Sequence, residues 1–144
     1  MMDFFSAMEV ISSGLTAERV RLNVTASNLA NANTTRTEEG GAYRRRDPIF
    51  AARNVAAEGG FQSQLDGVLK GVEVTEIIKD DSPPRLVFDP KHPDADEEGY
   101  VSLPNVNMVE EMVNMVMASR AYEAGVTAMK SVKDMANKAL AIGR

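Results

Sequence analysis

The chain of 144 residues contains no cysteine, which excludes a disulfide framework and any thiolate metal site. It has no tryptophan and a single histidine, so a histidine-based catalytic centre would have to use His92. A basic surplus is also missing. Lys plus Arg total 16 against 21 Asp plus Glu, a net charge of −5, which removes the overall electrostatic footprint of a nucleic-acid-binding protein. Long hydrophobic runs are absent. Stretches such as Ile49–Ala52 and Ala139–Ile142 reach only four strictly apolar residues, whereas a spanning helix needs ~20. The N-terminus carries Asp3 and Glu9 and no basic leader, so it does not read as a secretory signal. That pattern fits a cytoplasmic protein or one exported without a cleaved signal. The apolar fraction, 44%, is that of a folded chain.

Against these absences stand two helical periodicities, one at each end. Residues 1–35 form the first segment. Met8, Leu15, Leu22 and Leu29 recur every seven residues, and Phe4 and Ile11 fill the seam between them. Glu18 and Thr25 interrupt that seam, and Asp3 is placed to cap the helix. The other faces carry Asn23, Ser27, Asn28 and Asn31, polar residues that form helices poorly in isolation. This helix is therefore expected to depend on packing against other helices, in its own chain or another.

Residues 107–144 form the last segment. Met108, Met115, Tyr122, Met129 and Ala136 repeat every seven, with Met112, Ser119, Val126, Lys133 and Leu140 as the companion seam. Asn107 and Glu110 make a capping box, Lys133 and Lys138 lie toward the C-terminal end, and Gly143 can end the helix. The expected helix has ~35 residues and spans ~50 Å. The fold class expected is mainly α with a small β-rich insert: two long terminal helices pairing as an antiparallel coiled coil around an extended middle.

The middle, residues 36–106, is patterned differently. Tyr43–Phe50 can be extended, with Pro48 limiting it to an edge or bend. Val72–Ile77 alternates and is the best strand, and Arg85–Phe88 is a short second one. Residues 54–67 are weakly patterned. The acidic stretch Asp89–Gly99 is punctuated by Pro90, Pro93 and Gly99 and reads as a loop. The whole insert has little core of its own.

Chemical motifs do not develop into a site. Counted from Asp94, the acidic loop places Asp96, Glu98 and Gly99 at calcium-loop positions. Its twelfth residue, however, is Asn105 rather than a bidentate Glu. His92 has Asp89 and Asp94 nearby but no nucleophile or oxyanion donor at a recognisable spacing. Arg44, Arg45 and Arg46 are the only basic run, suited to an inter-subunit salt-bridge patch or to simple solvation. Met112, Met115 and Met117 have a spacing that can hold Cu(I), but at helical period such residues pack. Six of the nine methionines lie in the C-terminal segment, which suits an interface with slightly different neighbours. No cofactor, metal or small-molecule substrate is expected.

Three groups of residues resemble a known family. Ser13-Gly14-Leu15-Thr16-Ala17-Glu18-Arg19 followed by residues 23–37, with Asn28-Leu29-Ala30-Asn31 at their centre, resemble the N-terminal signature of bacterial flagellar axial proteins. Residues 40–45, 89–95, 99–101 and 104–106, with Glu111-Met112-Val113 and Ala118–Ala124, resemble the proximal rod branch of that family more narrowly. Gly125 departs from the family pattern, in which Asn follows Tyr-Glu-Ala, and as a poor helix former it is expected to loosen the helix there.

The resemblance implies a non-enzymatic structural subunit of the flagellar basal-body rod. Such subunits leave by the flagellar type III export apparatus without signal cleavage and polymerise in the periplasm through their terminal helices, with the middle on the outside. The partners implied are further copies and other rod proteins, without nucleic acid. Met8, Ile11, Leu15, Leu22, Asn28, Leu29 and Asn31 are the expected assembly and packing residues of the first helix. Met112, Met115, Tyr122, Val126, Met129 and Leu140 are those of the last. Arg44, Arg45, Arg46, Asp94 and Asp96 are candidate inter-subunit contacts. Two other classes stay open on the sequence: a helical-hairpin chaperone or adaptor, and an acid–base enzyme built on His92.

Overall fold

The computed structural model describes residues 4–55 and 69–142. Its elements in chain order are α1 (Phe4–Ala30), β1 (Arg46–Asn54), β2 (Lys70–Lys79), β3 (Arg85–Phe88), β4 (Tyr100–Leu103) and α2 (Met108–Ile142). The mainly α class with a small β insert is observed. The expected caps at Asp3 and Gly143 lie outside the described residues, as does most of the weakly patterned stretch 54–67.

Local chemistry sets the helix ends. Asn31 stops α1: its Nδ2 donates to the Ser27 carbonyl at 2.9 Å, and its Oδ1 accepts from the Thr34 hydroxyl at 3.2 Å. Asn is a weak helix former because its side chain competes for backbone groups in this way. Asn107 caps α2, its Oδ1 accepting the Val109 N–H at 3.1 Å. Glu110 and Glu111 occupy the first turn, where the helix dipole favours negative charge.

The two helices pack against each other with opposed chain directions: Asn28 meets Glu111, and Leu15 meets Gly125. One expected seam of α2 turns inward from Met115 on: Met115, Tyr122, Met129 and Ala136 are partly buried, while Met108 at its start is exposed. The companion seam differs from expectation. Met112, Val126, Lys133 and Leu140 are exposed and Ser119 alone of that seam is partly buried, while Glu111 and Ala118 are buried and Gly125 and Val132 partly so. The inward pair of tracks is therefore 111/118/125/132 with 115/122/129/136. Close helix contact selects small residues in the middle of the first track, at Ala118 and Gly125. A Cβ at Gly125 would stand 2.8 Å from Leu15 Cδ2. Gly125 thus marks a close approach rather than a loosened turn.

The insert folds as two antiparallel hairpins. β1 pairs with β2 from Arg46↔Lys79 to Asn54↔Lys70, with a bulge between Ile49 and Phe50, next to Pro48. Proline is tolerated because both strands of a two-stranded ribbon are edges. The hairpin rests on α1: the Ser13 hydroxyl accepts the Val72 N–H at 3.0 Å, and Gly71 lies so close that a Cβ there would stand 2.8 Å from Ser13 Oγ.

β3 has the bounds expected from the sequence and pairs with β4, which the sequence pattern did not mark as a strand. The acidic loop joins them. Asp96 Oδ1 accepts N–H groups from Glu98 and Tyr100, and Gly99 takes a φ of +84°, so the loop closes on itself. Ala32, Tyr43 and Val106 form a buried apolar cluster where the end of α1, the run into β1 and the run into α2 converge. The insert thus shares the helices' core. No helix among the described residues is long and apolar enough to cross a membrane.

Candidate assembly surface

Beside that cluster lies a buried polar junction. Asn28 is 1% exposed, and every hydrogen-bonding position of its amide is used. Its Nδ2 donates to the Arg46 carbonyl at 2.8 Å and to Glu111 Oε2 at 3.1 Å. Its Oδ1 accepts from the Tyr43 hydroxyl at 3.0 Å and the Arg46 N–H at 2.9 Å. A buried amide satisfied at all four positions fixes the geometry of everything bonded to it, since any slip strands a polar group.

Glu111, also 1% exposed, takes Arg45 Nε on its other oxygen at 2.8 Å. Arg45 in turn reaches Asp47 at 3.3 Å, and its backbone N–H donates to Asn105 Oδ1 at 2.8 Å. Burial works against the Arg45 charge, yet its bond to Glu111 and that residue's charge, with help from Asp47, raise the guanidinium above its ordinary range. One knot therefore joins α1, the start of β1 and the first turn of α2.

Among the described residues, the opposite face of α2 has no such partners. Val109, Met112, Val113 and Val116 are all exposed, the last two at 53% each. The spacing 109, 113, 116 puts three valines on one helix face. A contiguous exposed apolar stripe of this kind is the mark of an interaction surface.

The residues expected from the sequence divide among these regions. Asn28 lies in the knot, and Asn31 ends α1. Met8, Ile11, Leu15, Leu22 and Leu29 are partly buried along α1, as are Met115, Tyr122 and Met129 on α2. Met112, Val126 and Leu140 are exposed in the single chain. The three arginines separate. Arg45 is committed inside the chain, Arg44 reaches Asp81 at the surface, and Arg46 stacks its guanidinium over the Tyr43 ring, 5.7 Å from its centre. Asp94 accepts the Thr35 hydroxyl at 2.7 Å, which ties the acidic loop to the end of α1. His92 accepts the Asp94 N–H on Nδ1, so it serves the same turn.

Sequence reasoning missed Glu111, Tyr43, Asn105 and Ser13 as structural partners. Glu111 carried one usable signal: it precedes Ala118 and Gly125 at seven-residue spacing.

Comparison with known proteins defines the class. Residues 3–36 match the family model for flagella basal body rod proteins, and residues 97–142 match that for the C-terminal region of flagellar basal body rod FlgEFG proteins. The chain is thus of the flagellar rod class. It is 52% identical to the flagellar basal-body rod protein FlgC of Borreliella burgdorferi, with 98% of each chain covered. It is 43% identical to FlgC of Bacillus subtilis and 40% to that of Escherichia coli O157:H7, each over 99% of this chain and 100% of the relative. The chain belongs to the FlgC family of flagellar basal-body rod proteins. Its relatives are structural flagellar rod proteins, and no catalytic family is indicated.

Proposed function

We propose that this rod subunit polymerises in the periplasm through its terminal helices, with copies of itself and other rod proteins as neighbours. The helices wind as an antiparallel coiled coil on the inner side, forming wall to the export channel, and the two hairpins lie outside. Residues 1–35 and 107–144 act as one joint helical domain, with residues 36–106 as its outer cover. The chain leaves through the flagellar type III export apparatus without signal cleavage, and no reaction is catalysed.

The observation that carries this is the bare valine stripe on α2, opposite a junction whose polar groups are already satisfied. The junction fixes the helix pair within one subunit, so the apolar stripe remains for another. Contacts in an open helical array are heterologous, each face meeting a different one on its neighbour.

A Val113→Glu, Val116→Glu chain tests this. Both positions are exposed, so folding stability of the free chain should change by no more than ~0.5 kcal/mol per substitution. Swimming should nevertheless be lost, with the chain exported but absent from isolated basal bodies. Normal motility would overturn the assignment of this stripe.

A further inference from the structure

The β3–β4 hairpin presents a second uncovered apolar face. Its register puts Leu86, Phe88, Tyr100 and Ser102 on one side and Val87 with Val101 on the other. Val101 is buried, so the first side is the outward one. Leu86 and Phe88 are each 63% exposed on it, and the Tyr100 ring stands edge-on to Phe88 with their centres 5.3 Å apart. Among the described elements, β3 and β4 pack only on each other and α2 packs only on α1. A lone two-stranded hairpin is marginal in water and is completed by a second layer, such as a helix, over its apolar face.

The outward side of α2 has the matching composition. Val109, Val113, Val116 and Arg120 fall at i, i+4, i+7 and i+11, so Arg120 extends the valine stripe. Arg120 is exposed and makes no ion pair among the described residues. The hairpin carries the opposite sign. Glu97 and Glu98, just before Tyr100, are exposed and equally unpaired among the described residues. Each apolar face therefore has beside it the charge that the other lacks.

The two faces of one chain cannot meet. Asn105 anchors the end of the hairpin through the Arg45 N–H and the Asp80 and Ser82 carbonyls, and Asp94 ties its loop to Thr35 past the end of α1. Residues 56–68 cannot cover them either. They leave and return at Val55 and Leu69, which share a backbone hydrogen bond, beside Gly71 and Ser13. Thirteen residues out and back reach about 23 Å. The end of α1 is about 26 Å from Ser13, and Val113 is about 21 Å off along α2 and on its far side. Residues 1–3 and 143–144 adjoin Phe4 and Ile142, at the other end of the helix pair.

We propose that the outward face of β3–β4 docks on Val113, Val116 and Arg120 of α2 in a second copy of this chain. Leu86, Phe88 and Tyr100 lie against the valines, and Glu97 and Glu98 pair with Arg120. The proposal rests on the rod-subunit reading and names the segment that covers the stripe. A hairpin and a helix face are different surfaces, so the contact propagates from copy to copy instead of closing a dimer.

The native absence of cysteine makes the test clean. Full-length Ser102→Cys and Val116→Cys chains, distinguishable by isotope labelling, are mixed at high concentration and oxidised, and the mixed disulfide is measured by mass. Ser102→Cys with Ser131→Cys is the control, since Ser131 is exposed on the same side of α2 but about 22 Å further along. The expected yield with Val116→Cys is well above that control. Arg120→Glu in the Val116→Cys chain should lower it about tenfold, and Glu97→Lys, Glu98→Lys in the Ser102→Cys chain should restore it. All three charges are exposed, and unchanged thermal melts check that the variants fold.

A yield equal to the control, or one indifferent to Arg120→Glu, overturns the proposal. The Val113→Glu, Val116→Glu chain separates it from the reading beneath it. If that chain stays out of basal bodies while the crosslink is absent, another rod protein covers the stripe and only the proposed contact falls. If it assembles normally, the assembly role of α2 falls as well.

Discussion

The helix pair is built differently at its two levels. Where Asn28 faces Glu111, the contact is polar, closed to solvent and saturated, with Arg45, Tyr43 and the Arg46 backbone completing it. Where Leu15 faces Gly125, thirteen to fourteen residues away along each helix, the contact is apolar, close and flanked by an open groove. Beyond it the end of α2 is exposed. A saturated polar contact tolerates one register only. An apolar contact beside open space tolerates a new neighbour. The first level therefore suits holding one subunit's segments together, and the second suits what happens between subunits.

Breaking the polar level should have the largest effect. Glu111→Ala leaves Arg45 without its main partner and one Asn28 N–H unpaired in a buried site. Removing one member of such a pair costs about 3–5 kcal/mol, a large share of the ~5–15 kcal/mol that holds a domain together. The expected outcome is a sharp fall in the denaturation midpoint. Hydrogen exchange should sharpen the same contrast. In the free wild-type chain, amides of residues 24–30 and 111–118 should exchange slowly and those of 130–142 rapidly. Equal protection along α2 would erase the distinction between the two levels.

The sequence disclosed these two levels unequally. Heptad spacing found both helices, and it found the 115/122/129/136 track because those residues are large and apolar. The companion seam it offered, Met112, Ser119, Val126, Lys133 and Leu140, is mostly exposed in the single chain, because apolarity rather than side-chain size guided the choice. The inward track instead holds Glu111, Ala118, Gly125 and Val132. Proximity between helix backbones selects for small size at Ala118 and Gly125, and a buried carboxylate looks polar in a sequence until its partners are known. Those partners, Asn28 and Arg45, are 83 and 66 residues distant. β3 was legible from Arg85–Phe88 alone. β4 was not, because four residues ending at a proline acquire strand character only from their partner across the acidic loop.

The apolar level can be tested with its two glycines, which should respond with opposite signs. Gly125→Leu forces Leu15 from its place and should cost about 1–3 kcal/mol, the usual range for overpacking a close contact. Gly14→Ala faces open space and should stabilise the free chain by up to ~1 kcal/mol, the helix-propensity difference. Thermal melts of the two variants give the comparison directly. A destabilised Gly14→Ala chain would mean that the groove is closed in solution.

The smallest effect expected is on the hairpin base that adjoins the polar level, and it appears only in acid. Lys79, the last residue of β2, hydrogen-bonds and attracts Glu39 and so holds that carboxyl below its ordinary value. Ser82, through its side chain and its backbone N–H, does the same for Asp80. A carboxylate whose pKa is lower folded than unfolded stabilises the fold fully above its unfolded pKa, near ~4. That contribution disappears as pH falls through the folded value. Glu39 is exposed and Asp80 half-buried at the surface, so the effect is confined to the hairpin base and should be visible as faster amide exchange at residues 46–48 and 77–80 below the carboxylate range. Lys79→Ala removes the main cause of the Glu39 shift. It should flatten that acid dependence while leaving exchange at Asn28 and Glu111 unchanged. A variant that accelerated exchange at both places would show that the hairpin base and the polar knot unfold as one unit.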